Sequence, residues 1–334
     1  MLAGLDLSGR IGQLICVAWG KHGTAGVNSG LVVDSLEQTE AVVADLGLSG
    51  VCYFPSVPEG DDPEEVAAGL ARLQDAAIVP LVTSVDQEGG RVRRIKSGVT
   101  EIPAARELGG DPDRVRELAT VLARELTAIG FTQVLSPVAD VDSNPDNPVI
   151  ADRSYAADPD QVARCVTAAV EGFHTGGIAC TAKHFPGHGD TSTDSHREVP
   201  TVDRSVVDWE QLEAVPFRAA VEAGVDAVML GHLVFPVLDP ELATVSAPVV
   251  ELLRTGLGFD ALVMTDALGM AAATHGRHPD DLVVDAVVAG VDLLLMPGDA
   301  RAAHAALVRA VETGRLTEQR VDQACRRVLA LKTS

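Results

Sequence analysis

Between Ile178 and Asp190 the chain reads Ile178-Ala179-Cys180-Thr181-Ala182-Lys183-His184-Phe185-Pro186-Gly187-His188-Gly189-Asp190. A mostly apolar run of strand length ends on a lysine and a histidine, then breaks into a loop at Pro186-Gly187. Upstream, Asp158-Pro159-Asp160-Gln161 has the grammar of a helix start: an N-cap aspartate, proline at the first helical position and a capping-box residue at the third. Gly176-Gly177 supplies the stop. The segment is thus one helix, one strand, one polar strand end and one loop. Whether the unit repeats decides the fold.

It does repeat. Strands are predicted near Leu14 to Ala18, Gly50 to Phe54, Val79 to Val85, Thr132 to Val138, Ile178 to Ala182, Ala227 to Leu230, Ala261 to Met264 and Val291 to Leu295. The runs are apolar throughout rather than alternating, as suits strands buried on both faces of a parallel sheet. Asp62-Pro63-Glu64-Glu65 and Asp111-Pro112 open further helices, and Gly130 closes the second of these. A helical pattern from Ser205 to Glu222 kinks or restarts at Pro216. From Thr317 onward Val321, Cys325, Val328 and Leu329 share one face. Eight such units fit an α/β fold consisting of a single TIM-type (β/α)8 barrel, one domain over 1–334. A Rossmann-like sheet is the alternative, but no G-x-G-x-x-G loop follows the first strand.

Composition narrows the function. The chain has 334 residues, 48 Asp plus Glu against 26 Lys plus Arg, and a formal net charge of −22. Such acidity repels phosphate backbones and anionic lipid, so neither nucleic acid nor membrane is an expected partner. Aromatic residues are 3% of the chain, too few for a broad stacking platform. Five cysteines at irregular spacing form neither a disulfide framework nor a zinc ribbon and are expected in the core. Without a leader-like start or a run of about 20 apolar residues, a cytoplasmic protein is expected. The oligomeric state is open, with a monomer favoured.

In a barrel the strand ends project into one cup at the C-terminal face. Here they carry Asp86, Asp140, Lys183-His184, His232 and Asp266, and the loops from Lys21 to Gly30, Ser143 to Val149 and Phe185 to Thr193 should surround them. From His184 to His196, thirteen residues hold three histidines and two aspartates. His184 and His188 are four apart, the spacing of a helical zinc pair, but Pro186 and Gly187 between them oppose a helix, so no metal is expected. Asp86 can take a pair of sugar hydroxyls, with an arginine of the Arg91-Val92-Arg93-Arg94 run adding a donor. The Asn144-Pro145-Asp146-Asn147-Pro148 stretch reads as a rigid loop delivering Arg153 to the same mouth. Asp266 is a lone carboxylate in an apolar context, either a nucleophile or a structural acceptor.

Four motifs, DQEGGRVRR (86–94), NPDNPVIADRSY (144–155), KHFPGHGDTSTDSH (183–196) and MTDALGM (264–270), together resemble glycoside hydrolase family 3, in particular its single-domain β-N-acetylglucosaminidases. The resemblance implies a retaining β-N-acetylhexosaminidase that releases terminal β-linked N-acetylglucosamine from cell-wall fragments or a related small glycoside, without a cofactor. Asp266 corresponds to the nucleophile, and His196 paired with Asp194 to the acid/base. Asp86, Arg94, Arg153, Lys183, His184 and His188 correspond to substrate-binding positions. Phosphorolysis is the alternative, because a histidine acid/base adds no negative charge near an incoming phosphate.

Overall fold

The structure, a computed structural model, describes residues 4–20, 35–56, 60–191, 199–274 and 276–333. The expected loop from Lys21 to Gly30 and the Asp194–His196 pair lie outside the described residues.

Eight strands form one parallel sheet: β1 (Ile15–Trp19), β2 (Gly50–Tyr53), β3 (Val82–Val85), β4 (Gln133–Val134), β5 (Ala179–Phe185), β6 (Ala227–Leu230), β7 (Leu262–Thr265) and β8 (Leu294–Leu295). Each pairs with its neighbours in sequence, and β1 pairs with β8 through Ile15↔Leu294 and Cys16↔Leu295. The seam between β7 and β8 is closed by the Met264↔Leu293 bridge and by the Thr265 N–H donating to Leu293 O at 3.0 Å. The sheet is therefore the TIM-type barrel expected from the repeat.

Period-two geometry explains why its strands are apolar on both faces. Cys16, Cys52, Met229, Leu262 and Met264 fill the barrel interior, while their neighbours Ile15, Val17, Val51, Val228 and Val263 face the helical layer. All five cysteines are buried and unpaired by disulfides. Strands β4 and β8 are shorter than their apolar runs because only two residues of each keep regular ladder pairing. Val138 continues the line of β4 as an isolated bridge to Lys183.

The helix starts lie where aspartate-proline predicts them. Asp62, Asp111 and Asp158 accept from the N–H groups of Glu64, Arg114 and Gln161 respectively. Gly130 and Gly177 end two helices in the left-handed region. The capping box expected at Gln161 is not closed, because its side chain donates to Gly109 O at 2.6 Å instead. The 205–222 segment restarts, as Val206–Gln211 and then Ala214–Glu222, with Pro216 in the second helix's first turn.

Candidate active site

The first polar cluster grows from the end of β3. Asp86 leaves the strand and enters a short hairpin, Gln87–Gly89 with Val92–Arg93. Gly89 turns it at φ +103°, where a Cβ would lie 2.5 Å from Pro103 O. Gln87 accepts from the Arg94 and Ile95 N–H groups with Oε1 and donates to Ile95 O, which pins the returning strand. Asp86 and Glu88, two apart in extended chain, thereby face the same side. They share one lysine: Lys183 Nζ lies 2.8 Å from Asp86 and 2.6 Å from Glu88. Arg94 sits 3.3 Å from Asp86 and 4.9 Å from the centroid of the Phe54 ring.

Strand β5 brings both Lys183 and His184 to the cavity because its pairing with β6 skips a residue between Lys183 and Phe185. Asp140, fully buried, organises the turn beyond the strand. It accepts from the His184 and His188 N–H groups and lies 2.7 Å from His184 Nδ1. Arg153, in the turn Ala151–Arg153, clasps Glu88 through two bonds of 2.8 Å and approaches His184 Nε2 at 3.4 Å. His184 Nδ1–H donates to Asp140, while Nε2 faces the Arg153 guanidinium.

The 144–150 loop, expected to be rigid, is held by the hydrogen bonds of one side chain. Buried Asn147 donates to His188 O and Gly189 O and accepts from the Val149 and Ile150 N–H groups. It staples this loop to the one after β5. Gly189 lets the loop after β5 lie against Val141, since a Cβ there would be 1.6 Å from Val141 O.

Asp86, Glu88, Arg94, Arg153, Lys183, His184, His188 and Asp266 all line one cavity of about 420 Å³, closed by Phe54, Met270 and Met296. Seven of these were expected from the sequence; Glu88 was not, although its i, i+2 relation to Asp86 was there to be read. Two strand-end residues do not line the cup. Asp140 is fully buried behind His184. His232 is buried behind Asp266, with Nδ1 2.7 Å from Thr244 Oγ1 and Nε2 donating to Ala267 O at 3.0 Å. Both act through neighbours because their chains turn inward immediately after the strand.

Charge divides the carboxylates into two kinds. Burial opposes ionisation of Asp86 and Glu88, but Lys183 with Arg94, and Arg153 with Lys183, outweigh it and hold both below the usual carboxylate range. Burial also opposes ionisation of Asp266, yet the His184 and His232 rings, the Ala267 N–H at 2.7 Å and Lys183 hold it low as well. Among the described residues, however, no lysine or arginine forms an ion pair with Asp266. His188 is pushed down to about 4 by burial and by His184, so its ring is neutral at neutral pH. With Lys183, Arg94 and the clasped acids offering donors and acceptors around Asp266, the cavity suits a small polyhydroxylated molecule whose reacting carbon faces that carboxylate.

The model of the glycosyl hydrolase family 3 N-terminal domain matches residues 7–331. The chain belongs to glycosyl hydrolase family 3. A family 3 β-N-acetylglucosaminidase from Paenibacillus sp. FPU-7 superposes with a TM-score of 0.89 at 40% identity, over 98% of this chain and 62% of that one. The chain thus spans less than two thirds of that relative. A β-N-acetylhexosaminidase structure from Beutenbergia cavernae gives a TM-score of 0.87 at 30% identity, over 99% of each chain. The β-hexosaminidase of Thiobacillus denitrificans is 39% identical over 244 residues, 70% of this family 3 chain and 68% of that protein.

Proposed function

We propose that the chain, as one catalytic domain over 1–334, is a retaining β-N-acetylhexosaminidase acting on terminal β-linked N-acetylglucosamine of cell-wall fragments or related small glycosides. The observation that carries the reading is the contrast within the cavity. Asp86 and Glu88 are each held by two cations, whereas Asp266 is ionised and, among the described residues, has no cation clamping it. A carboxylate in that state keeps lone pairs available for an anomeric carbon. Family membership and the names of the relatives support the sugar specificity.

In this reading Asp266 attacks the anomeric carbon while the leaving oxygen takes a proton, and water then releases the sugar from the glycosyl-enzyme. Asp86, Arg94, Lys183 and His184 hold sugar hydroxyls. Arg153 orients Glu88 and His184 at the rim, and His188 lines the wall as a neutral ring. The proton is assigned to His196 with Asp194 by motif resemblance. Neutral His188 is a poor substitute for that acid, and Asp190 is committed to Arg204 at 3.2 Å.

A slow 2-fluoro sugar tests the nucleophile, because mass spectrometry should find it on the peptide containing Asp266. Label on a peptide containing Asp86 or Glu88 would overturn the assignment. His196→Ala should lose on the order of 10²–10⁴ in rate with poor leaving groups and far less with activated aryl glycosides. Equal losses on both would remove His196 as the acid. Assays with aryl β-N-acetylglucosaminide against aryl β-glucoside test the sugar, and disaccharide fragments against chitobiose test the aglycone. Formation of N-acetylglucosamine 1-phosphate in phosphate buffer would replace hydrolysis by phosphorolysis.

A further inference from the structure

At the opposite end of the barrel, three side chains of different chemistry converge where helix Pro159–Gly176 ends and strands β5 and β6 begin. His174 lies in the helix's last turn, Cys180 is the second residue of β5, and Asp226 immediately precedes β6. His174 Nε2 is 2.8 Å from Asp226 Oδ2 and 3.9 Å from Cys180 Sγ. The three ligating atoms lie within 4.8 Å of one another, the one such grouping among the described residues. We propose that His174, Cys180 and Asp226 form a zinc site at the N-terminal face of the barrel, remote from the catalytic cavity.

The donor set and the geometry both argue for it. Thiolate, imidazole and carboxylate together suit zinc and disfavour magnesium or calcium, which prefer oxygen alone. With zinc bonds of about 2.3 Å to sulfur and about 2.0 Å to nitrogen and oxygen, tetrahedral ligands stand roughly 3.3–3.6 Å apart. The His174–Asp226 and His174–Cys180 separations of 2.8 and 3.9 Å differ from that by roughly half an ångström, and the Cys180–Asp226 pair lies within 4.8 Å, shifts within reach of side-chain adjustment. Asp226 is already aimed, because its Oδ2 accepts the Cys180 N–H at 2.9 Å. The helix C-terminus adds a favourable dipole for a cation. Cys180 is fully buried, but the His174 side chain is 38% exposed, which gives an ion an entry and leaves a fourth position for water.

Binding balances without redox chemistry. The Cys180 S–H bond breaks, its electron pair forms the Sγ–Zn bond, and the proton passes to solvent. The metal also replaces the proton lying between His174 Nε2 and Asp226 Oδ2. The site joins a helix to two strands at the barrel end where stability rather than chemistry is expected to reside. Its consequence is a zinc-dependent rise in thermal stability, with glycoside hydrolysis unchanged.

The test uses the full chain, dialysed against chelator and titrated with Co²⁺ and Zn²⁺. The wild-type chain should bind one Co²⁺ with a near-ultraviolet sulfur-to-cobalt charge-transfer band that Zn²⁺ displaces, and Zn²⁺ but not Mg²⁺ should raise its Tm. Cys180→Ser should abolish the band, and His174→Ala or Asp226→Asn should weaken Zn²⁺ binding at least about tenfold. A wild-type protein with no sulfur-to-cobalt band at saturating Co²⁺ would overturn the site, whatever the variants do. So would a band that survives in Cys180→Ser, or cobalt bound with nitrogen and oxygen ligands alone.

Discussion

Glu88→Gln separates shape from charge in the cavity wall. Glu88 is almost fully buried and receives two bonds of 2.8 Å from Arg153, with Lys183 Nζ at 2.6 Å. Glutamine has the same shape, but it accepts through one oxygen only and turns an NH₂ group toward a cation. Removing one partner of a buried ion pair costs roughly 3–5 kcal/mol. Because Lys183 keeps Asp86 at 2.8 Å, the lower end applies, about 3 kcal/mol of unfolding free energy at pH 7. The acid dependence gives a second, independent signature. Burial opposes the Glu88 charge, but Arg153 and Lys183 hold its carboxyl far below the ordinary range. Its stabilisation is therefore present above the unfolded-state value near 4.3 and is lost as pH falls toward the folded-state value. One unit below 4.3, wild type should have lost about 1.4 kcal/mol that the glutamine variant never had, so the gap between them narrows. Urea unfolding followed by circular dichroism at pH 7.0, 4.3 and 3.3 (on the order of the ordinary carboxyl value and one unit below it) measures both. A loss under about 1 kcal/mol at pH 7, or a gap that stays constant into acid, would refute the charge argument.

Other perturbations read other parts of the site. Asp266→Asn should remove nearly all turnover while leaving Tm within a few degrees, and an active variant in steady-state assays would disqualify it as nucleophile. Glu213 lies beneath the loop after β5, 3.0 Å from Arg204 Nε but out of line for a hydrogen bond, and burial pushes its carboxyl up to about 7. A raised folded-state value favours the fold below the ordinary carboxyl range and loses that advantage as pH rises through 7. Wild type should thus lose up to about 3 kcal/mol between pH 5 and 8 relative to Glu213→Gln, and parallel urea curves would contradict this. Asp140→Asn should lower kcat/KM on the order of 10²-fold by freeing the His184 ring, with a larger share in kcat than in thermal stability. An effect on Tm alone would make Asp140 purely structural.

The barrel was legible because burial on both strand faces leaves a plain trace, an apolar run of fixed length between helix signals. The aspartate-proline starts were equally readable, since each combines a fixed φ with a side-chain acceptor. Strand ends were less so. Position along a chain says which end of the barrel a residue reaches, but not whether the next peptide turns toward the cavity or away. Asp86 and Asp266 turn toward it; Asp140 and His232 turn into the wall, where each finds hydrogen-bond partners contributed by distant loops. Glu88 escaped notice for the opposite reason. Its partners Arg153 and Lys183 are 65 and 95 positions away, so only the fold shows that three residues form one clamp.

The two ends of the barrel use the same residue types to opposite effect. At the N-terminal face, fully buried Asp292 meets Arg254 at 2.6 Å, Arg320 at 2.9 Å and Arg327 at 3.4 Å, and also accepts the Val263 N–H at 3.1 Å. Every lone pair there is committed, and the cluster ties β7 and β8 to the last helix, Glu318–Leu331. At the C-terminal face Asp86 and Glu88 are each held by two cations, which immobilises Lys183, Arg94 and Arg153 at the cavity wall. Among the described residues, Asp266 alone of the three cavity carboxylates is left without such a clamp. Its charge is maintained at longer range by the His184 and His232 rings and Lys183, together with one backbone N–H. That difference matters chemically, because a carboxylate whose oxygens are spent on guanidinium and ammonium groups is a poor nucleophile. Adding a cation beside it should therefore depress turnover even where it makes Asp266 more fully ionised: Met270→Lys, in the same cavity and in the turn that follows Asp266, should slow glycosyl-enzyme formation more than Met270→Gln. Pre-steady-state bursts measure that step directly, and equal burst rates in the two variants would show that availability of the Asp266 lone pairs does not govern the reaction.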